Sequence, residues 1–141
     1  MTKLLFLCVA NSARSQIAEA LAKTMLPLTV DVKSAGSKPG ARVHPEAIET
    51  MAEVGIDIAS ARPKAIEDLP DGFLSQDCLV VRLCAEEECP FVSGVKVVNW
   101  NLTDPASVVG LQQKFAFIQT RETLRELIPL LNLDHIKEEK L

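Results

Sequence analysis

The sequence predicts an α/β layered domain with a mainly parallel sheet. Three observations carry this: short continuous apolar runs recur along the chain, segments of helical apolar spacing alternate with them, and glycine or proline marks the joins. Leu4–Val9 is the first apolar run and ends at polar Asn11 and Ser12, as expected of a strand buried on both faces. After Arg14, the residues Ile17, Leu21 and Met25 recur at helical spacing among good helix formers. Thr29–Ala35 reads as a second strand, closed by Gly36 and the Ser-Lys-Pro-Gly turn. Pro45 suits the first position of a helix whose apolar stripe is Ile48, Met51 and Ala52, with Gly55 as its C-terminal cap. Cys78–Leu83 is a third buried strand and Val95–Val98 a shorter fourth. Val108, Leu111, Phe115 and Ile118 begin a long final helix, continued by Leu124, Leu127 and Ile128 and ended or kinked by Pro129. The charged tail Asp134–Leu141 reads as a solvated end.

The 141 residues fit a single domain, 1–141, with no internal repeat or linker. A hydrophobic share of 48% and a charged share of 24% are the balance of a soluble globular protein. The net charge of -4 gives no electrostatic case for nucleic acid or an anionic membrane surface. No apolar run is long enough to cross a bilayer, and the first residues lack the layout of a signal peptide. The expectation is a cytoplasmic monomer, in which the cysteines at 8, 78, 84 and 89 are reduced. Those positions do not form two Cys-x2-Cys pairs, so no metal site is expected. Cys78, inside Cys-Leu-Val-Val, reads as a buried apolar thiol. His44 and His135 read as surface or capping residues.

Chemistry concentrates after the first strand. Cys8, Val9, Ala10, Asn11, Ser12, Ala13, Arg14 and Ser15 leave a strand and enter a helix. Such a short loop can turn several backbone N–H groups inward and form a nest for an anion, to which the helix dipole adds positive potential. The Arg14 fork can clamp two oxygens of a phosphate-like ion. The same field is expected to favour a Cys8 thiolate, with Ser12 or Ser15 donating a hydrogen bond to the sulfur. Asn11 is expected to brace the loop, because Asn tolerates left-handed backbone angles. Asp104, in Asn-Leu-Thr-Asp-Pro before the last helix, could protonate a departing oxygen, or mark a turn and cap the next helix.

These residues resemble the low-molecular-weight protein tyrosine phosphatase superfamily, whose Cys-x5-Arg-Ser signature stands here as Cys8, Arg14 and Ser15. Ser-Ala-Gly at 34–36, Arg-Val-His-Pro-Glu-Ala-Ile at 42–48, Glu-Val-Gly-Ile-Asp-Ile at 53–58 and Asp104-Pro105 extend the likeness over most of the chain. In particular they resemble the arsenate reductases built on this fold. The resemblance implies a flavodoxin-like, three-layer sandwich around a central four-stranded parallel sheet, with Asp104 as the proton donor.

The stretch Arg82-Leu-Cys84-Ala-Glu-Glu-Glu-Cys89-Pro90 separates a reductase from a phosphatase. The resemblance implies that Cys84 attacks a Cys8–arsenic adduct, and that Cys89 then resolves the Cys8–Cys84 disulfide. Thioredoxin, or glutaredoxin with glutathione, would supply the electrons, and no cofactor would be bound. The chain departs from the thioredoxin-coupled pattern in having Arg82 for Thr, Ala85-Glu86 for Gly-Asp, and a shorter interval between the cysteines. The family's cation spot would correspond to Asn11, Glu19, Ser34 and an acid where this chain has Lys64, whose ammonium would replace the ion. Two other readings compete. One is a phosphatase for phosphotyrosine or a small phosphate ester, against which stand the absence of tyrosine and Ala106 after Asp104-Pro105. The other is a non-catalytic module that binds an oxyanion or arsenite.

Overall fold

The structure is a computed structural model that describes residues 2–84 and 93–133. Strand β1, Thr2–Cys8, lies between β2, Val30–Gly36, and β3, Cys78–Cys84, while β4, Lys96–Leu102, pairs with the far side of β3. The order β2-β1-β3-β4 is parallel throughout, as the apolar runs predict. Register runs from Thr2↔Val30 to Cys8↔Gly36 on one side of β1 and from Lys3↔Cys78 to Leu7↔Arg82 on the other. The carboxyl ends of the strands therefore converge, and Cys8, Gly36, Cys84 and Leu102 close them at one edge of the sheet.

Alternation along β1 divides the core. Leu4 and Phe6 face a cluster built by the helices α1, Arg14–Met25, α2, Pro45–Ala52, and α3, Gln112–Leu127, through Ile17, Met51 and Phe117. Leu5 and Leu7 face the opposite layer, where Phe73 and Leu69 of the connection before β3 cover Val80 and Cys78. These are the three layers of the sandwich. Burying both faces of the two central strands explains why they read as unbroken apolar runs.

Most element ends fall within two residues of the sequence expectation, and two boundaries differ by more. The fourth strand runs to Leu102 rather than Val98, because it is an edge strand that alternates: Trp100 and Leu102 pack inward while Asn99 and Asn101 are exposed. The final helix starts at Gln112 rather than Val108, and Leu111 and Phe115 are exposed, not core. Its inward face is Phe117, Thr120, Arg121 and Leu124. Arg121 can be buried there because its NH1 donates to Thr50 O at 2.8 Å and to Thr50 Oγ1 at 3.0 Å. Polar residues thus occupy stripe positions, which shifts the apparent apolar phase. Gly55 does end α2: its φ of 80° lets its N–H reach Ala52 O at 3.0 Å, with Ile56 N–H on Met51 O.

Candidate active site

The loop between β1 and α1 turns around the Cys8 sulfur. Asn11 N–H donates to Cys8 Sγ at 3.2 Å, and Ser15 Oγ lies 2.8 Å from the same sulfur. Asn11 is the non-glycine residue with positive φ among the described residues, at 50°, which is the left-handed turn expected of it. Its side chain is a junction. Lys64 N–H, which can only donate, reaches Asn11 Oδ1 at 2.8 Å, and Gln16 Nε2 reaches it at 3.0 Å. That fixes the amide orientation, so Nδ2 donates to Ser15 Oγ at 2.7 Å and to Ser34 Oγ at 2.9 Å. Ser15 already accepts from Asn11, so its own hydrogen is available to the Cys8 sulfur.

The loop is braced from behind through its carbonyls. Val9 O accepts from Lys38 N–H at 2.9 Å, Ala10 O from Gly40 N–H at 2.9 Å, and Ser12 O from His44 N–H at 2.8 Å. Asn11 O accepts from Gln16 Nε2 at 3.2 Å. These bonds occupy the carbonyls of Val9, Ala10, Asn11 and Ser12, while Asn11 N–H points to the Cys8 sulfur. Gly36 makes the arrangement sterically possible: a Cβ there would lie 2.4 Å from Val9 O and 3.0 Å from Asn11 N. His44 also caps α2, its Nδ1 accepting Glu46 N–H at 3.0 Å, in agreement with its reading as a capping residue. Nothing in the sequence singles out Gly36, Gly40 and Gln16 as site residues. The Ser-Lys-Pro-Gly turn is the available signal, but nothing local says that it braces another loop.

Arg14 is buried at 4% exposure at the first position of α1. Its NH1 donates to Leu102 O at 2.9 Å, and its NH2 lies 4.0 Å from Asp104 Oδ2. Between Arg82↔Asn99 and Cys84↔Leu102 the β3–β4 register shifts, and β4 spends one extra residue on the interval. Asp104 meets the expectation of a turn and cap, its Oδ1 accepting Ala106 N–H at 3.0 Å to cap a short 3-10 turn, and its other oxygen faces the arginine. Ser12 is half-buried and is not the residue bonded to the sulfur; Ser15 is.

The cysteines separate by environment. Cys84, 4% exposed, packs with Cys8, 2% exposed, and Val9 in a small cluster of their own. Cys8 and Cys78 are free thiols, while Cys84 is disulfide-bonded. Cys89 and His135 lie outside the described residues. Cys78 is fully buried among apolar side chains, and burial pushes its thiol up to about 12, against a smaller downward pull from Lys3. It is the inert thiol that the sequence implies.

Behind the loop, Ser34 Oγ donates a short hydrogen bond to Glu19 Oε1, and Lys64 Nζ lies 3.4 Å from the same oxygen. Lys23 Nζ reaches Glu19 Oε2 at 2.6 Å. Burial acts to raise the Glu19 carboxyl, but the Lys23 and Ser34 bonds and the Lys64 charge outweigh it and leave the group below its ordinary value. The ammonium of Lys64 thus stands against the carboxylate, as its proposed substitution for a cation requires. Among the described residues no cluster of His, Cys, Asp and Glu is arranged to hold a metal ion, and no helix is long and apolar enough to cross a membrane.

Residues 3–140 match the model of the low molecular weight phosphotyrosine protein phosphatase family. An arsenate reductase of Bacillus subtilis is 40% identical over 118 residues, which cover 81% of this chain and 82% of the relative. A solved arsenate reductase in an oxidized state superimposes with a TM-score of 0.75 at 31% identity, covering 96% of this chain and 99% of that one. A thioredoxin-dependent arsenate reductase of Corynebacterium glutamicum gives a TM-score of 0.67 at 31% identity, covering 92% of this chain and 63% of that chain.

Proposed function

From the premise that the chain belongs to the low molecular weight phosphotyrosine protein phosphatase family, we propose that it reduces arsenate to arsenite with thiols as the electron source. The observation that carries the reading is a second buried cysteine, Cys84, packed directly on the cysteine of the oxyanion loop. Phosphoryl transfer to water needs a single thiol; reducing arsenic requires two sulfurs that can join.

In this scheme the loop amides of Val9 to Ser15 and the Arg14 fork bind the arsenate dianion, and the Cys8 thiolate attacks arsenic. An arsenic–oxygen bond breaks, Asp104 donates the proton, and the oxygen leaves as water. Cys84 then attacks Cys8 Sγ. The Cys8–arsenic bond breaks, its electron pair stays on arsenic, and pentavalent arsenic leaves as trivalent arsenite. Two thiolates have become one disulfide, which balances the two electrons gained. Attack by Cys89 on the Cys84 sulfur would free Cys8 and leave a Cys84–Cys89 disulfide for the external reductant. The Corynebacterium relative is thioredoxin-dependent, which supports thioredoxin in that role, with glutaredoxin and glutathione as the other candidates.

The phosphatase reading draws support from the family itself and from the pairing of Arg14 with Asp104, since Cys8, the loop and that acid suffice for a phosphocysteine cycle. One assay separates the readings: arsenite formed from arsenate with thioredoxin, with glutaredoxin and glutathione, or with no reductant, beside nitrophenyl phosphate hydrolysis. Arsenite made catalytically with one reductant supports the reductase. Ester hydrolysis alone refutes it, and stoichiometric oxyanion binding without turnover points to a binding module.

A further inference from the structure

We propose that Gln16 is a positioning residue: it sets the polarity of the hydrogen bonds that deliver the Ser15 hydroxyl hydrogen to the Cys8 sulfur. The inference goes beyond the reductase reading, since reductase and phosphatase cycles alike begin at that sulfur. Gln16 is 3% exposed in the first turn of α1, and Asn11, Ser15 and Ser34 beside it are fully buried. Its Nε2 meets three oxygens: Arg62 O at 3.0 Å, Asn11 O at 3.2 Å and Asn11 Oδ1 at 3.0 Å. Two of these are main-chain carbonyls, which accept and never donate, so the Gln16 amide cannot be turned over. Its buried amino group is a fixed donor that joins the oxyanion loop to the segment at Arg62.

From that donor the direction passes one way. The side-chain atom of Asn11 facing Gln16 must be Oδ1, a choice that Lys64 N–H repeats at 2.8 Å. Asn11 Nδ2 is thereby turned to Ser15 Oγ at 2.7 Å and Ser34 Oγ at 2.9 Å. Ser34 gives its own hydrogen to Glu19, so both serines receive from Asn11. Ser15 is left to donate to Cys8 Sγ, 2.8 Å away. The bond from Nε2 to Asn11 O also holds the left-handed turn at Asn11, whose N–H reaches the same sulfur at 3.2 Å. With the Asn11 amide reversed, Oδ1 would face Ser15, and the serine hydrogen would turn to it and leave the sulfur. The sulfur reacts as a thiolate, and a donor aimed at an ionised acceptor makes the stronger kind of hydrogen bond, so losing this one slows attack.

The test uses the full chain with Cys84→Ser and Cys89→Ser, following alkylation of Cys8 by iodoacetamide at neutral pH through peptide mass spectrometry. Gln16→Glu sets a carboxylate against two fixed carbonyls, and the Asn11 amide is the one neighbour of the three that can turn to meet it. Alkylation of Cys8 is expected to slow about tenfold. Gln16→Met has the length but no donor, and Lys64 N–H still orients Asn11, so the slowing expected is about threefold. Both variants are repeated with Ser15→Ala, which removes the hydrogen at issue; there each should slow alkylation by less than about twofold. A residue that only supports the fold would slow both backgrounds alike. Equal slowing with and without Ser15, or no slowing by either variant, would overturn the assignment. Should Gln16→Glu fail to fold, the Gln16→Met and Ser15→Ala cycle decides by the same criterion. No arsenate enters this measurement, so its outcome is independent of whether the chain makes arsenite.

Discussion

Substituting alanine for Gly36 puts one methyl group against the back of the oxyanion loop. The added carbon would lie 2.4 Å from Val9 O, 3.1 Å from Val9 C and 3.0 Å from Asn11 N, all backbone atoms. Ordinary contact begins near 3.4 Å, so Val9 O must retreat by about 1 Å. That oxygen also accepts Lys38 N–H at 2.9 Å, and Asn11 N–H is the donor to the Cys8 sulfur. Overpacking of this kind costs about 1–3 kcal/mol, which for a chain of this size lowers the melting temperature by roughly 3–10 °C. A displacement of about 1 Å in a positioning loop lowers the rate by up to about a hundredfold. The assay is protection of Cys8 from alkylation by graded arsenate, beside arsenite production and thermal melting. Gly72→Ala is the control: it meets positive φ at 79° but open space, so it carries backbone strain without touching the loop. If Gly36→Ala kept arsenate protection and turnover within about twofold of the parent while melting no differently from the control, bracing of the loop by this close approach would be wrong.

Cys8→Ser is expected to abolish every activity, whereas Cys84→Ser should abolish arsenate reduction and spare phosphate-ester hydrolysis; equal loss of both activities refutes the resolving role. Cys89→Ser should permit one turnover and block recycling by thioredoxin, as measured by arsenite formed per chain in a single-turnover experiment. The Glu19 carboxyl sits below its ordinary value, so the stability it lends is complete above the usual carboxylate range and fades as pH falls through its lowered folded value. Lys64→Met removes one cause of that depression; the variant should melt below the parent at neutral pH, and the gap should close in acid. Potassium should stabilise the unmodified chain no more than sodium, because an ammonium already faces Glu19 at 3.4 Å; a larger rise in melting temperature with potassium would contradict that. Native Cys78 should resist alkylation at mildly alkaline pH, since burial holds it at about 12.

Local pattern determined the parallel α/β order, the Cys8–Ser15 loop, the left-handed turn at Asn11 and the inertness of Cys78, because each follows from neighbours within a few positions. Burial of both faces of β1 and β3 gives unbroken apolar runs, and a strand feeding a helix across seven residues announces an anion loop. The full extent of β4 and the inward face of α3 escaped the pattern, since Asn99 and Asn101 face outward on an edge strand and Arg121 is buried on bonds to Thr50. Tertiary structure alone decided which carbonyls Lys38, Gly40 and His44 hold, why Gly36 must lack a side chain, and that Ser15 rather than Ser12 meets the sulfur. It also brought Cys84 from 76 positions away onto Cys8. The physical reason is that hydrogen-bond partners and close packing are set by distance in space, and for those residues the distance along the chain carries no trace of it.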